Sequence, residues 1–194
     1  MIISFLISYL LGSIPFGKIV TKVLTGKDIT ETGSQNIGAT NVYRSVSKKA
    51  GLLVLILDGI KPMLALAIIS YFFNKYFQNL KFLYFFISIV GHVFPIWLMF
   101  KGGKGVACFF GGFLIISPIP TLISMAVWMV TVKITKISSL GALLSIFLLT
   151  SYQIVSNYGT LNKGTIFAIM LLIFWKHNEN IKRLIQGKEN KINL

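Results

Sequence analysis

The sequence predicts an all-α integral membrane protein, a single helical membrane domain over residues 1–194, and three observations carry that expectation. The chain is 55% hydrophobic and only 12% charged, with a mean hydropathy of +0.77. A soluble globule of this size needs more polar surface than that, so lipid must cover much of it. Long apolar runs recur along the whole chain, and the scarce polar residues gather at their ends. Lys and Arg outnumber Asp and Glu by 19 to 5, yet the apolar runs keep the cations apart. A continuous basic face is thereby excluded, so no nucleic acid is expected as a partner and the cations read as a rim at one membrane surface.

A bilayer core of about 30 Å takes roughly 20 apolar residues of helix, and the runs can be placed against that length. The first helix is expected near residues 1–24. Its beginning, Met1 to Leu11, resembles a signal-peptide core but has no basic residue ahead of it and no small-residue cleavage pattern behind, so it should remain as a mature span. Further helices are expected near 50–73, 80–100, 138–157 and 162–182. Between them Val106 to Val132 reads either as one long helix or as two short ones broken at Ser117-Pro118-Ile119-Pro120, since proline removes a backbone donor and disfavours helix in the residue before it.

Charge chooses between the two. With the segment split there are seven spans, and Lys27, Arg44, Lys48, Lys49, Lys101, Lys104, Lys133, Lys136 and the cations of residues 176–191 all fall on one side. The positive-inside rule makes that side the cytoplasm, with the N-terminus outside and the C-terminus inside. The predicted protein is therefore multi-pass in the cell (inner) membrane. A single cysteine, Cys108, excludes an intramolecular disulfide framework, and with two histidines there is no metal-site spacing, so no metal is expected.

Three polar clusters remain as candidate sites. In Thr32 to Arg44 (TGSQNIGATNVYR), within the largest loop excursion, about Thr25 to Lys49, Ser34 supplies a hydroxyl, Asn36 and Asn41 supply amides, Gly33 and Gly38 permit close backbone approach, and Arg44 offers a planar fork suited to phosphate. A turn followed by a helix cap is the plainer explanation of any one of these residues. The density of the whole run favours binding. In Lys101 to Gly105 (KGGKG), Lys101, Gly102, Gly103 and Lys104 stand where one helix ends and the next begins, so backbone N–H groups at the new helix start, beside Lys104, suit an anion. The run lacks the spacing of a nucleotide-binding loop. In Lys176 to Leu184 (KHNENIKRL), helical spacing puts His177 and Asn180 on one face with Ile181 and Leu184, while Glu179, Lys182 and Arg183 point elsewhere. An amphipathic tail on anionic lipid would explain the cations there but not the histidine. Within the spans, Asp58 is an intramembrane acid with Lys61 three residues on as its simplest partner, and His92 reads as a packing or hydrogen-bonding residue.

In order and spacing, GSIPFG (Gly12 to Gly17), GSQNIGATNVYR (Gly33 to Arg44), GHVFPIWLMFKGGKGVA (Gly91 to Ala107) and HNENIKRLIQGKE (His177 to Glu189) resemble the bacterial glycerol-3-phosphate acyltransferases that use acyl phosphate, an integral membrane family with seven helices. The resemblance implies transfer of a fatty acyl group from acyl phosphate to the 1-hydroxyl of glycerol 3-phosphate, giving lysophosphatidic acid for phospholipid synthesis. It implies that Ser34, Arg44 and Lys104 hold phosphate and the reacting acyl group, that His177 and Asn180 position glycerol phosphate, and that Asn36, Asn41, Gly102 and Gly103 shape the pocket, with Lys101 beside them. It implies no cofactor. The implied partners are glycerol 3-phosphate, a fatty acyl phosphate, membrane lipid and, functionally, the enzyme that makes acyl phosphate. Gln35 stands where the family usually has glycine, Thr30 where it commonly has arginine, and Pro62, expected near a helix start, where it usually has glycine. The reading from a different class is a transporter or flippase of a phosphorylated small molecule, since basic half-helix ends suit anion transport as well.

Overall fold

The computed structural model describes residues 1–156 and 159–192, and every regular element among them is helical. The chain forms two compact units, Met1–Ile115 and Ile116–Leu194.

In the first unit α1 (Ile2–Ser13) and α2 (Phe16–Thr25) replace the single helix expected over 1–24. Pro15 is the cause: it has no N–H to donate and pushes Ile14 to an extended φ/ψ of −61°/118°. After α2 come a 3-10 turn (Ile29–Glu31), a short α3 (Ala39–Ser45) and the long α4 (Lys48–Phe72), whose first turn is capped by Ser47 Oγ accepting from Ala50 N–H at 3.1 Å. α5 (Asn74–Val93) starts earlier and stops earlier than the expected 80–100, because Pro95 ends it and a 3-10 turn (Ile96–Leu98) follows. α6 (Val106–Ile116) completes this unit's elements. Pro62 lies in the middle of α4 and not near a helix start. It therefore removes the N–H that would have bonded the carbonyl of Asp58, four residues back. The Cys108 thiol of α6 donates to that carbonyl at 3.2 Å in its place.

α1 lies so close to α5 that a Cβ on Gly12 would strike the Ser88 carbonyl, and one on Gly91 the Tyr9 carbonyl. The aromatic rings of Phe85, Phe109 and Phe113 join α5 to α6, with centroids 4.8 to 5.1 Å from that of Phe113. Side chains such as Leu6, Leu10, Leu52, Leu53 and Ile56 point outward, as lipid contact requires.

The second unit consists of α7 (Pro118–Thr135), α8 (Ser138–Val155), α9 (Thr160–Lys176) and α10 (Asn178–Ile185). Val106 to Val132 is thus two helices parted at Ser117, which has an extended φ of −151°. The expected 162–182 helix is also two, broken at His177 with φ/ψ of −98°/7°. The end expected at Asn157 for the helix from 138 lies outside the described residues. Ser124 Oγ donates to the Ser145 carbonyl at 2.6 Å, fastening α7 to α8. Ile146, Leu149, Ile166, Ile169 and Ile173 form this unit's apolar core.

Among the described residues, five helical stretches are long and apolar enough to cross a membrane: Ile2–Thr25, Lys48–Phe72, Phe77–Leu98, Pro118–Thr135 and Ser138–Val155. α6, with 11 residues, and α9, with 17, are shorter.

Candidate anion and acyl-transfer site

The first polar cluster is an ordered loop because its apolar residues are driven inward. Ile29, Ile37 and Val42 are buried with Val20, Ala50 and Val54 in one cluster, which anchors the loop at both ends to α2 and α4. Over that base, one side chain organises the backbone. Asn41, 3% exposed, accepts from Ser34 N–H at 2.9 Å and from Ser45 Oγ at 3.3 Å. Its amide donates to the carbonyls of Asn36 at 2.9 Å, Thr32 at 3.0 Å and Ile29 at 3.4 Å. Ser34 is left at the exposed tip of the turn so formed, with Arg44 exposed on α3.

The turn needs two left-handed residues. Gly33 has φ of 57°, and a Cβ there would strike Asn41 Oδ1 and Ser45 Oγ. Gln35 has φ of 58°. A glycine at position 35 is therefore favoured by backbone conformation, while the Gln35 side chain itself points to solvent.

Beside this turn, Asp28 accepts from Thr30 N–H at 3.0 Å and Thr30 Oγ1 at 2.8 Å, and pairs with Lys18 Nζ at 2.8 Å. The Lys18 ammonium first, then the two Thr30 groups, hold the Asp28 carboxyl down at about 2. A cavity of ≈ 430 Å³ opens here, lined by Lys18, Lys22, Lys27, Asp28, Glu31 and Thr32 among others. Its lining includes none of Ser34, Asn36, Arg44 or Lys104, and it mixes three ammonium groups with two carboxylates.

In the second cluster the chain reverses through two left-handed residues, Met99 and Phe100. Gly102 N–H then donates to the Val93 carbonyl and Gly103 N–H to the His92 carbonyl, each at 3.1 Å. Both N–H groups are thus spent on the end of α5 and are not the anion donors that a helix start would offer. Glycine is required at both positions for room: a Cβ on Gly102 would meet the His92 carbonyl and Pro95, and one on Gly103 the His92 ring. The helix start lies two residues beyond Lys104, at Val106, and the first N–H of the following turn, that of Phe109, bonds Gly105 at 2.8 Å. The N–H groups of Val106, Ala107 and Cys108 accordingly have no acceptor within the helix, as at any helix start. Lys101 is exposed and Lys104 half-buried.

In the second unit, His177 and Asn180 are both buried, at 3% and 7% exposure. His177 closes α9, where its Nδ1–H donates to the Ile173 carbonyl at 2.8 Å. The neutral ring therefore carries its lone pair on Nε2. One buried carboxylate is not among the residues expected from the sequence. Glu189, beyond α10, folds back so that Oε1 accepts from Ser139 Oγ at 2.9 Å and from the Asn180 amide, while Oε2 accepts from Arg183 Nε at 2.7 Å. Burial raises its carboxyl, but the hydrogen bonds from Asn180, Arg183 and Ser139 prevail and hold it below the usual glutamate range. The Ile192 N–H bonds the Lys136 carbonyl at 2.7 Å, securing the tail. The signal for Glu189 was its place at the end of HNENIKRLIQGKE.

Similarity to known proteins covers nearly all of the chain. The family described as "Glycerol-3-phosphate acyltransferase" matches residues 2–187. The glycerol-3-phosphate acyltransferase of Rhizobium etli is 40% identical over 187 residues, 96% of this chain and 88% of the relative. That of Ehrlichia chaffeensis is 39% identical over 189 residues, 97% of this chain and 94% of the relative. That of Pelagibacter ubique is 43% identical over 186 residues, 95% of this chain and 93% of the relative. Among solved structures, PlsY, an integral membrane glycerol 3-phosphate acyltransferase, superposes in its glycerol 3-phosphate form with a TM-score of 0.90 at 33% identity, covering 99% of this chain and 95% of that one. Its lysophosphatidic acid form gives a TM-score of 0.86 at the same identity and coverage.

Proposed function

The chain belongs to the glycerol-3-phosphate acyltransferase family and is a multi-pass membrane protein, and we propose that it transfers a fatty acyl group from acyl phosphate to the 1-hydroxyl of sn-glycerol 3-phosphate, releasing lysophosphatidic acid and inorganic phosphate. The observation that carries this reading is the extent of the family match, residues 2–187, which takes in all three polar clusters. The solved relative's two forms, with glycerol 3-phosphate and with lysophosphatidic acid, are those of the acceptor and the product in this reaction.

An acyl phosphate is a mixed anhydride with a good leaving group, so the step needs alignment and charge stabilisation more than a strong base. The 1-hydroxyl oxygen attacks the acyl carbon, the bond from that carbon to the phosphate oxygen breaks, and the departing phosphate takes the hydroxyl proton. In this scheme Ser34, Arg44, Lys101 and Lys104 hold phosphate and the acyl group, while His177 and Asn180 position the acceptor. Asn36, Asn41, Gly102 and Gly103 give these groups their backbone frame. No acyl-enzyme forms, and an acyl group trapped on Ser34 would sink the scheme.

The proposed setting is seven spans in the cell membrane, N-terminus outside and C-terminus inside, with the chemistry on the cytoplasmic face where the acceptor is dissolved. α6 and α9 would then be its short crossings. The donor would come from the enzyme that makes acyl phosphate. The test is phosphate release from purified protein in lipid, given palmitoyl phosphate and glycerol 3-phosphate alone. Release that requires both substrates, yields lysophosphatidic acid and is lost in Lys104→Ala supports the proposal. A folded protein that releases none refutes it.

A further inference from the structure

Three ionisable side chains come together inside the first unit, outside the residues assigned above. Lys61 Nζ of α4 lies 2.8 Å from Asp58 Oδ1, 2.9 Å from the Ile14 carbonyl and 2.9 Å from His92 Nδ1 of α5. Their side chains are 2 to 3% exposed. The Ile14 carbonyl is available because Pro15 ends α1 there. An ammonium has three hydrogens and no acceptor, so these three neighbours account for its donors, although Asp58 Oδ1 is met as an ion-pair contact with no aligned hydrogen bond.

The arrangement settles the imidazole. A charged lysine can only donate, so His92 Nδ1 accepts and the hydrogen of the neutral ring sits on Nε2. That Nε2 edge occupies the space where a Gly103 side chain would be, and the His92 carbonyl receives the Gly103 N–H at 3.1 Å. The same buried group also grips the other side of the loop, since the Cys108 thiol donates to the Asp58 carbonyl. Lys104 therefore sits between two attachments, Gly103 to His92 and Cys108 to Asp58. A pure packing role would be met by apolar side chains at less desolvation cost.

We propose that Asp58, Lys61 and His92 form a positioning device that sets the backbone of Lys101–Gly105 and so the placement of Lys104 for acyl transfer. This deepens, and rests on, the acyltransferase reading. His92 acts through the loop and is a positioning residue.

The decisive variant is His92→Asn. The asparagine oxygen can still accept from Lys61, so the buried charges keep their partners, but the ring against Gly103 is gone. The expected result is a kcat lowered by about a hundredfold, the cost of a misplaced catalytic group, with KM for both substrates and the thermal midpoint near wild type. A kcat within about twofold of wild type overturns the proposal.

Should His92→Asn fail to fold, nitrogen NMR of the native protein decides. The sequence has only two histidines, and His177→Gln identifies the other. A His92 ring protonated on Nε2, with Nδ1 accepting, supports the device; a ring protonated on Nδ1 overturns it. Wild-type protein without transferase activity instead removes the acyltransferase reading, and with it the catalytic purpose of the device, while the same spectrum still decides the geometry.

Discussion

Asn41→Ala tests whether one buried amide holds the Ser34 turn. The substitution removes three well-formed hydrogen bonds, those to Ser34 N–H at 2.9 Å, to the Asn36 carbonyl at 2.9 Å and to the Thr32 carbonyl at 3.0 Å. At a net contribution of about 1 kcal/mol each, the turn loses about 3 kcal/mol relative to its opened state. That corresponds to a rise of about 150-fold in the opened population. Amide hydrogen exchange reads it directly, and the choice of reporter matters. Ser34 N–H loses its own acceptor and would exchange faster in any case. Gln35 N–H bonds the Thr32 carbonyl at 3.0 Å and does not touch Asn41, so it loses protection only if the turn opens as a unit. Accelerated exchange at Gln35 with unchanged exchange in α4 and α5 is the expected pattern. Unchanged exchange at Gln35 would refute the claim that Asn41 organises the turn. Asn41→Asp separates its two functions, because it keeps the acceptor for Ser34 while setting carboxylate oxygen against the Asn36 and Thr32 carbonyls. It should open the turn at least as far as alanine does.

Gln35→Gly relieves a left-handed residue and should stabilise the turn by about 1 kcal/mol, seen as slower exchange at Thr32 and Gln35 and equal or higher transferase activity. For Asp28, the pKa in the folded protein is depressed, so its stabilisation is present above the unfolded value and is lost as pH falls from about 4 towards about 2. Lys18→Met should move the Asp28 carboxyl towards its ordinary value in a carbon NMR titration; an unmoved value would disprove the Lys18 contribution. Glu189→Gln keeps an acceptor for Ser139 and Asn180 but removes the charge that meets Arg183, at a cost of about 2 kcal/mol. Because Glu189 too is depressed when folded, protection of α10 should fall in the wild type as pH drops below the glutamate range, and Glu189→Gln should abolish that dependence.

The helical membrane class was legible because hydropathy is a local property, and long apolar runs admit few other structures. The breaks were only half legible. The break at Ser117-Pro118-Ile119-Pro120 is legible from its prolines, which fall in the first turn of α7, whereas Pro95, inside the helix expected over 80–100, lies two residues beyond the end of α5. Pro15 lies within the helix expected over 1–24 yet ends α1, and Pro62, expected near a helix start, sits inside α4. A proline says that a donor is missing but not what will satisfy the orphaned carbonyl. For Asp58 that group is Cys108, fifty positions away. The break at His177 has no proline or glycine to announce it. Pairing followed the same rule of range. Asp58 with Lys61 is an i, i+3 contact and could be read from spacing, whereas His92, 31 residues on, and Glu189, folding back on Asn180, needed coordinates.

The geometry also divides the polar residues by what they have left to give. Both polar atoms of the Asn41 side chain face backbone or a neighbouring hydroxyl. The N–H groups of Gly102 and Gly103 are bound to the end of α5. These residues spend their hydrogen bonding on shape. In the proposed scheme, charge for the anionic substrate comes from side chains mounted on that shape, Arg44, Lys101 and Lys104, with Ser34 exposed at its tip. A glycine-rich, amide-rich run therefore reads as binding from its composition while acting as scaffold in its atoms. On that division, substitutions at Asn41 and Gly103 should depress kcat through misplacement, whereas Arg44→Ala should act chiefly on substrate KM. The opposite pattern, with Gly103→Ala raising KM alone, would mean that the glycine backbone itself touches the anion.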